Sequence, residues 1–211
     1  MRLYKYHKID KFLIWSLVNT ENWYSRLKYL NDPYEAFFND QTSTSIYKNF
    51  KETLCICSFS KTKDEILMWS HYADEHRGVC LEFLCPEDNN FKSSLIEINY
   101  NNKITKLDNV EITKDGHLSL NINSNGSWIS QKLETWKYEQ EIRRIIIEEN
   151  TSIKGLSNKF PGKLSSIYFG VNANKFEIDL IKKITKDHND LNYFKVELNE
   201  TQNNMSSNHI V

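Results

Sequence analysis

The sequence predicts an α+β fold, a single domain over residues 1–200 of mixed, mainly antiparallel sheets with interspersed short helices. Three observations carry this. Strand-like segments are scattered among short helical ones along the 211 residues. With 39% hydrophobic and 13% aromatic side chains the chain can bury a real core. No internal repeat and no linker divides it, and only residues 201–211 are expected to fray.

Arg2-Leu3-Tyr4-Lys5-Tyr6 alternates and reads as the opening strand. Asp10 is placed to cap a helix from Lys11 to Val18. Asn22 to Leu30 is strand-like and stops at the turn Asn31-Asp32-Pro33. Asp40 to Lys51 is polar, helical or irregular. Thr53 to Ser60 is apolar at both parities in its middle, as a strand buried on both faces would be. Lys63-Asp64-Glu65 opens a helix to about Ala73. Strands are expected at Gly78–Phe83 and Ser94–Tyr100, and a long loop or insertion at Asn101–Gly126. Ser127–Tyr138 suits a helix, Gln140–Glu148 a strand, Ser165–Val171 a strand, Asn174–His188 an amphipathic helix and Tyr193–Leu198 the last strand.

Charge and composition narrow the function. Lys and Arg total 27 against 28 Asp and Glu, which argues against bulk nucleic-acid binding. No apolar run is long enough for a bilayer and the first ten residues lack a signal-peptide core, so no membrane role and a cytoplasmic location are expected. Cys55, Cys57, Cys80 and Cys85 cluster in or beside apolar stretches without a CxxC pair. They are expected to be reduced packing groups, and no metal is expected. With only 6 Gly, no Walker loop and no GxGxxG, a glycine-cradled phosphate site is close to excluded.

Three clusters remain that a bare core would not require. Met68 to Gly78 packs Trp69, Ser70, His71, Tyr72, His76 and Arg77 into a helix end and its turn. It reads either as an ordinary helix terminus or as an aromatic and imidazole wall for a flat ligand. Trp136 to Arg144 holds Glu139 and Glu141; on a strand these and Arg143 project to one face. They form either a salt-bridged edge or a functional carboxylate pair. The third is Leu3-Tyr4-Lys5-Tyr6 with the Asn31-Asp32-Pro33 turn. All three are expected to converge on one cleft.

LYKY at 3–6, NDP at 31–33, CSFS at 57–60, MWSHYA at 68–73, HRGVCLEF at 76–83 and WKYEQEIRRI at 136–145 occur in that order. The chain resembles a bacterial family, found also in phages, that is known only as a domain of unknown function. It also bears a more distant similarity to ADP-ribosyltransferases. These carry a basic residue on an early strand, Ser-x-Ser on a middle one and Glu-x-Glu beginning a late one. Lys5 (or His7), Ser58-Phe59-Ser60 and Glu139-Gln140-Glu141 stand in that order, with Lys5 an imperfect substitute for the usual Arg or His. The resemblance implies NAD as substrate and an oxocarbenium-like ribose in the transition state.

On that reading Glu141 binds the ribose and stabilises its charge, Glu139 orients an acceptor nucleophile, and Ser60 braces Glu141. Tyr6, Trp69 or Tyr72 stacks on nicotinamide, and Lys5 or Arg77 meets the pyrophosphate. Asn31, Asp32, His71 and Arg143 complete the substrate-binding set. The function expected is an intracellular transferase, a toxin-like or defence effector in bacterial or phage conflict, with a small nucleotide as partner and its macromolecular acceptor unidentified. The alternative is a non-catalytic module binding a nucleotide or protein, and the third choice a nuclease.

Overall fold

A computed structural model describes residues 1–32, 52–102, 111–112, 118–119, 128–199 and 204–210. It is an α+β arrangement whose main sheet is antiparallel except for one parallel pair. Strand β1 (Arg2–His7) is followed by helix α1 (Lys11–Asn19), started by Asp10, whose carboxylate accepts from the Phe12 and Leu13 amides. Next come β2 (Glu21–Arg26), β3 (Leu54–Ser60), α2 (Ile66–Tyr72) and β4 (Val79–Leu84). A short helix α3 (Asn89–Ser93) leads to β5 (Leu95–Glu97) and β6 (Asn99–Tyr100). Two-residue strands β7 (Glu111–Ile112) and β8 (Leu118–Ser119) pair with each other. They are followed by β9 (Gln131–Lys132), β10 (Glu141–Ile147), β11 (Gly155–Lys159) and β12 (Lys163–Phe169). Helix α4 (Lys175–Ile184) joins β12 to its parallel neighbour β13 (Asn192–Asn199), and β14 (Asn204–His209) closes that edge.

The sheet branches at β3. One edge of β3 pairs with β10 from Leu54↔Ile147 to Ser60↔Glu141. The other edge is divided: β2 holds it at Cys55 and Ile56, and β1 holds it at Ser60. Between these contacts β1 swings to β4 and β2 swings to β11, each pairing there along its length. The carbonyl of Ser58, in the gap, accepts from the Lys5 ammonium at 2.9 Å.

Alternation along the strands separates two buried faces. Leu3, Tyr24, Cys55, Cys57, Phe59, Leu81 and Phe83 turn to one, covered by Leu13 and Leu17 of α1 and Ile181 of α4. Tyr4, Tyr6, Cys80, Tyr168 and Val196 turn to the other, where Met68 and Trp69 of α2 close over them. All four cysteines are buried and unpaired. Among the described residues no helix is long and apolar enough to cross a membrane.

Several expected elements differ. The strand expected to reach Leu30 ends at Arg26 in a 3-10 turn, Leu27–Tyr29. The strand expected over Ser94–Tyr100 is broken at Ile98, whose amide donates to the Glu141 carbonyl. The helix expected over Ser127–Tyr138 is two 3-10 segments, Trp128–Ser130 and Glu134–Glu139, with β9 between them. Extended Leu133 interrupts it, and Gln140 at φ 44 turns the chain sharply into β10. β11 was not expected at all, and β14 lies in the stretch expected to fray. Asp40–Lys51, Pro33 and most of Asn101–Gly126 lie outside the described residues.

Candidate functional site

The divergence of β1 from β2 leaves a cavity of about 290 Å³ over the gap. The register fixes its floor. Tyr4 stands opposite Ser60, Ser25 opposite Ile56, and Glu141 opposite Ser60, so these side chains share one face of the sheet. Tyr6 and Ser58 follow by alternation, and all of them line the cavity. Leu30 and Asn31 after β2, Met68 and Tyr72 of α2, Glu139 and Lys132 complete the wall. The three sequence clusters therefore converge, as expected.

Two buried carboxylates occupy one end. Glu141 is 4% exposed and grips Arg143, whose Nε donates to Oε1 at 2.7 Å and whose Nη2 donates to Oε2 at 3.1 Å. Lys132 Nζ donates to Glu141 Oε2 at 3.2 Å and to Glu139 Oε2 at 2.5 Å, bridging the pair. The short parallel ladder of β6 and β9 sets Lys132 beside Tyr100, whose hydroxyl accepts from the Glu141 amide at 2.7 Å. The Lys132 ammonium also lies 4.9 Å from the Trp136 ring centroid.

The two carboxylates are driven apart in proton affinity. Burial raises Glu141, but Arg143, Lys132 and a hydrogen bond with Ser58 outweigh it and hold its carboxyl at about 2. Glu139 is raised, because burial exceeds the help it gets from Lys132 and Tyr72. Capacity differs too. A carboxylate offers about four lone-pair sites, and Arg143 (two), Lys132 and Ser58 fill those of Glu141. Among the described residues Glu139 accepts only from Lys132 and from Tyr72, whose hydroxyl lies 2.5 Å away. Burial and the Glu139 carboxylate push the Tyr72 phenol far up, keeping it a donor, and Asn31 Nδ2 donates to Tyr72 Oη at 2.9 Å.

Other expected site residues are placed differently. Ser60 donates to the Glu139 carbonyl at 2.7 Å, so Ser58, and not Ser60, braces the Glu141 carboxylate. Trp69 is fully buried, its indole N–H donating to the Lys63 carbonyl, and it meets Tyr6 edge-on at 5.2 Å; it has no face to offer a ligand. Tyr6 lines the cavity, but its hydroxyl is committed to the Thr62 carbonyl. His71 hydrogen-bonds Tyr138 outside the cavity lining. Arg77 is exposed and pairs with Asp74 and Glu75 in the turn after α2, away from the site. Asp32 is buried without lining the cavity, and Arg143 acts inside the wall, donating also to the Ile129 carbonyl. Lys5 and His7 do line it. Burial, with Lys5 nearby, takes the His7 imidazole down to about 3, so His7 is neutral; Lys5 leaves β1 on the face of Leu3, and its ammonium reaches the gap from that side, 5.3 Å from the Phe59 ring centroid.

Residues 68–144 match the model of a family of proteins of unknown function (DUF2971). The DUF2971 segment contributes Met68, Tyr72, Lys132, Glu139 and Glu141 to the lining and Arg143 behind it, while β1, β2, β3 and the Leu30–Asn31 stretch after β2 supply the rest of the cavity. This agrees with the resemblance to an uncharacterised family. No curated protein and no solved structure matches the chain, and the likeness to ADP-ribosyltransferases has no counterpart in these comparisons.

Proposed function

We propose that the cavity binds the nicotinamide–ribose end of NAD inside the cell and transfers the ADP-ribosyl group to an acceptor hydroxyl, with Glu139 as the carboxylate that meets substrate. The observation that carries this reading is the inequality of the pair: Glu141 is saturated by Arg143, Lys132 and Ser58, while Glu139, which lines the cavity, accepts among the described residues only from Lys132 and Tyr72. The bond between C1′ of the ribose and the pyridine nitrogen breaks with its electron pair going to nitrogen. Nicotinamide then leaves neutral and C1′ carries oxocarbenium character. Glu139 stabilises that charge and accepts the acceptor's proton as the acceptor oxygen bonds to C1′. Burial raises its proton affinity, which makes it a stronger base than an exposed carboxylate. Glu141 anchors Lys132 and Arg143, and Tyr72 orients Glu139.

The test is nicotinamide release and label transfer from labelled NAD in cell lysate. Glu139→Gln is expected to lower turnover by about a hundredfold or more while the protein remains folded. Unchanged turnover in folded Glu139→Gln protein sinks the assignment. A second reading, a nucleotide-binding module without turnover, is favoured by the bridge that Lys132 already makes across both carboxylates. It predicts NAD binding in calorimetry with no nicotinamide released.

A further inference from the structure

The structure assigns to Trp23 the role of a stacking platform for the second planar base of a dinucleotide, at the mouth of the cavity. β2 parts from β3 beyond the Ser25↔Ile56 pair, and Trp23, two residues back on the same face, is carried past the last rung. Its indole lines the cavity yet is 52% exposed. That is a large apolar surface to leave in water, since tryptophan is highly buried on average.

The indole is also held from behind. Gly155 of β11 lies beside it, and a β-carbon there would come 2.7 and 2.8 Å from Cζ2 and Cε2 of the ring, and 2.2 Å from the Tyr24 carbonyl oxygen. The missing side chain therefore lets the ring lie directly against the strand, with that side filled by backbone. What remains exposed belongs to a ring backed on one side by the strand, and such support lowers the cost of ordering it on binding.

Size and position indicate what the platform meets. At about 290 Å³ the cavity is at the lower end of the range for ligand pockets, room for one nucleoside-sized group. Glu141 stands opposite Ser60, and the β2 contact lies at Ile56, four residues along β3 or about 13 Å away. If the pyridine–ribose half sits at Glu139, the rest of a dinucleotide must leave toward the mouth, where Trp23 offers its face. This inference rests on the dinucleotide reading proposed above.

The test compares the affinities of NAD and nicotinamide mononucleotide for wild-type protein, Trp23→Ala and Trp23→Phe. Stacking of one base predicts that Trp23→Ala weakens NAD about ten- to hundredfold. The mononucleotide should change by less than about twofold, and Trp23→Phe should recover most of the NAD affinity. An NAD affinity indifferent to Trp23→Ala, or equal losses for the two ligands, overturns the platform while leaving the dinucleotide reading intact. Wild-type protein that binds neither ligand overturns both.

Discussion

Replacing Glu141 by Gln keeps its shape and removes one charge from the middle of a buried network. Arg143 is 0% exposed and the Lys132 side chain 4%, so neither cation can turn to water when its partner is lost. Breaking one half of a buried ion pair costs about 3–5 kcal/mol. The proton affinity of Glu141 gives a similar figure: a carboxyl lowered from 4.5 to about 2 adds about 3 kcal/mol of stability at neutral pH. In a chain of 211 residues that is a fall in Tm of roughly 6–20 °C. The sign with pH follows. The folded carboxyl titrates below the unfolded one, so its contribution is complete above about pH 4.5 and is lost as pH falls through about 2. Calorimetric melting at pH 7 and pH 3 should therefore show a wide gap between wild type and Glu141→Gln that narrows in acid. Glu139→Gln is the control. Burial already opposes the Glu139 charge and Lys132 keeps Glu141, so the expected loss is under about 1 kcal/mol. A Glu141→Gln protein melting within about 1 °C of wild type at pH 7, or a gap that fails to narrow at pH 3, refutes the buried network.

Two further outcomes test the frame around the site. Arg26 is fully buried, and its guanidinium donates to the backbone carbonyls of Glu52, Glu148, Asn150 and Ile153, tying β2 to the chain around β3 and β10. Arg26→Met should lower stability by about 3 kcal/mol or more, and Arg26→Lys should recover little, because an ammonium cannot spread over four acceptors as a planar fork does; a urea midpoint unchanged in either variant contradicts this. Burial pushes the thiols of Cys55, Cys57 and Cys80 up and takes Cys85 to about 11, so native protein at pH 8 should react slowly with a thiol reagent. Denatured protein should give four thiols with or without reductant, and a lower count without reductant would reveal a disulfide.

The sheet and the site were legible in the sequence to different degrees. Segments with an unmistakable period or cap, such as Arg2–His7, Leu54–Ser60 and the helix capped by Asp10, stand where the pattern places them. β11 and β14 do not show, because each lies at an edge of the main sheet and their sequences, GLSNK and NMSSNH, carry no apolar alternation. The convergence of three clusters was readable from their density in aromatic and polar residues. Lys132 was not, since one lysine in a polar stretch carries no signal until the break at Leu133 and the turn at Gln140 fold it back onto Glu139 and Glu141. Trp69 misled for the opposite reason: in the middle of a polar motif it is a core residue. Trp23, in a strand-like run, gave no hint that its strand would part from its neighbour.

A strand edge can serve one partner at each position, and β1 and β2 divide a single edge of β3 between them. The breadth of the cavity is thus a residue count, the number of β3 positions left between the last rung to β2 and the first to β1. Lengthening that interval by two residues would widen the gap by about 7 Å and keep every serine on its side; lengthening it by one would turn Ser58 or Ser60 into the aliphatic core. Relatives built on this plan can therefore vary the size of what they enclose only in even steps along β3. Substitutions at the lining residues alter the chemistry of the enclosure and leave that dimension untouched.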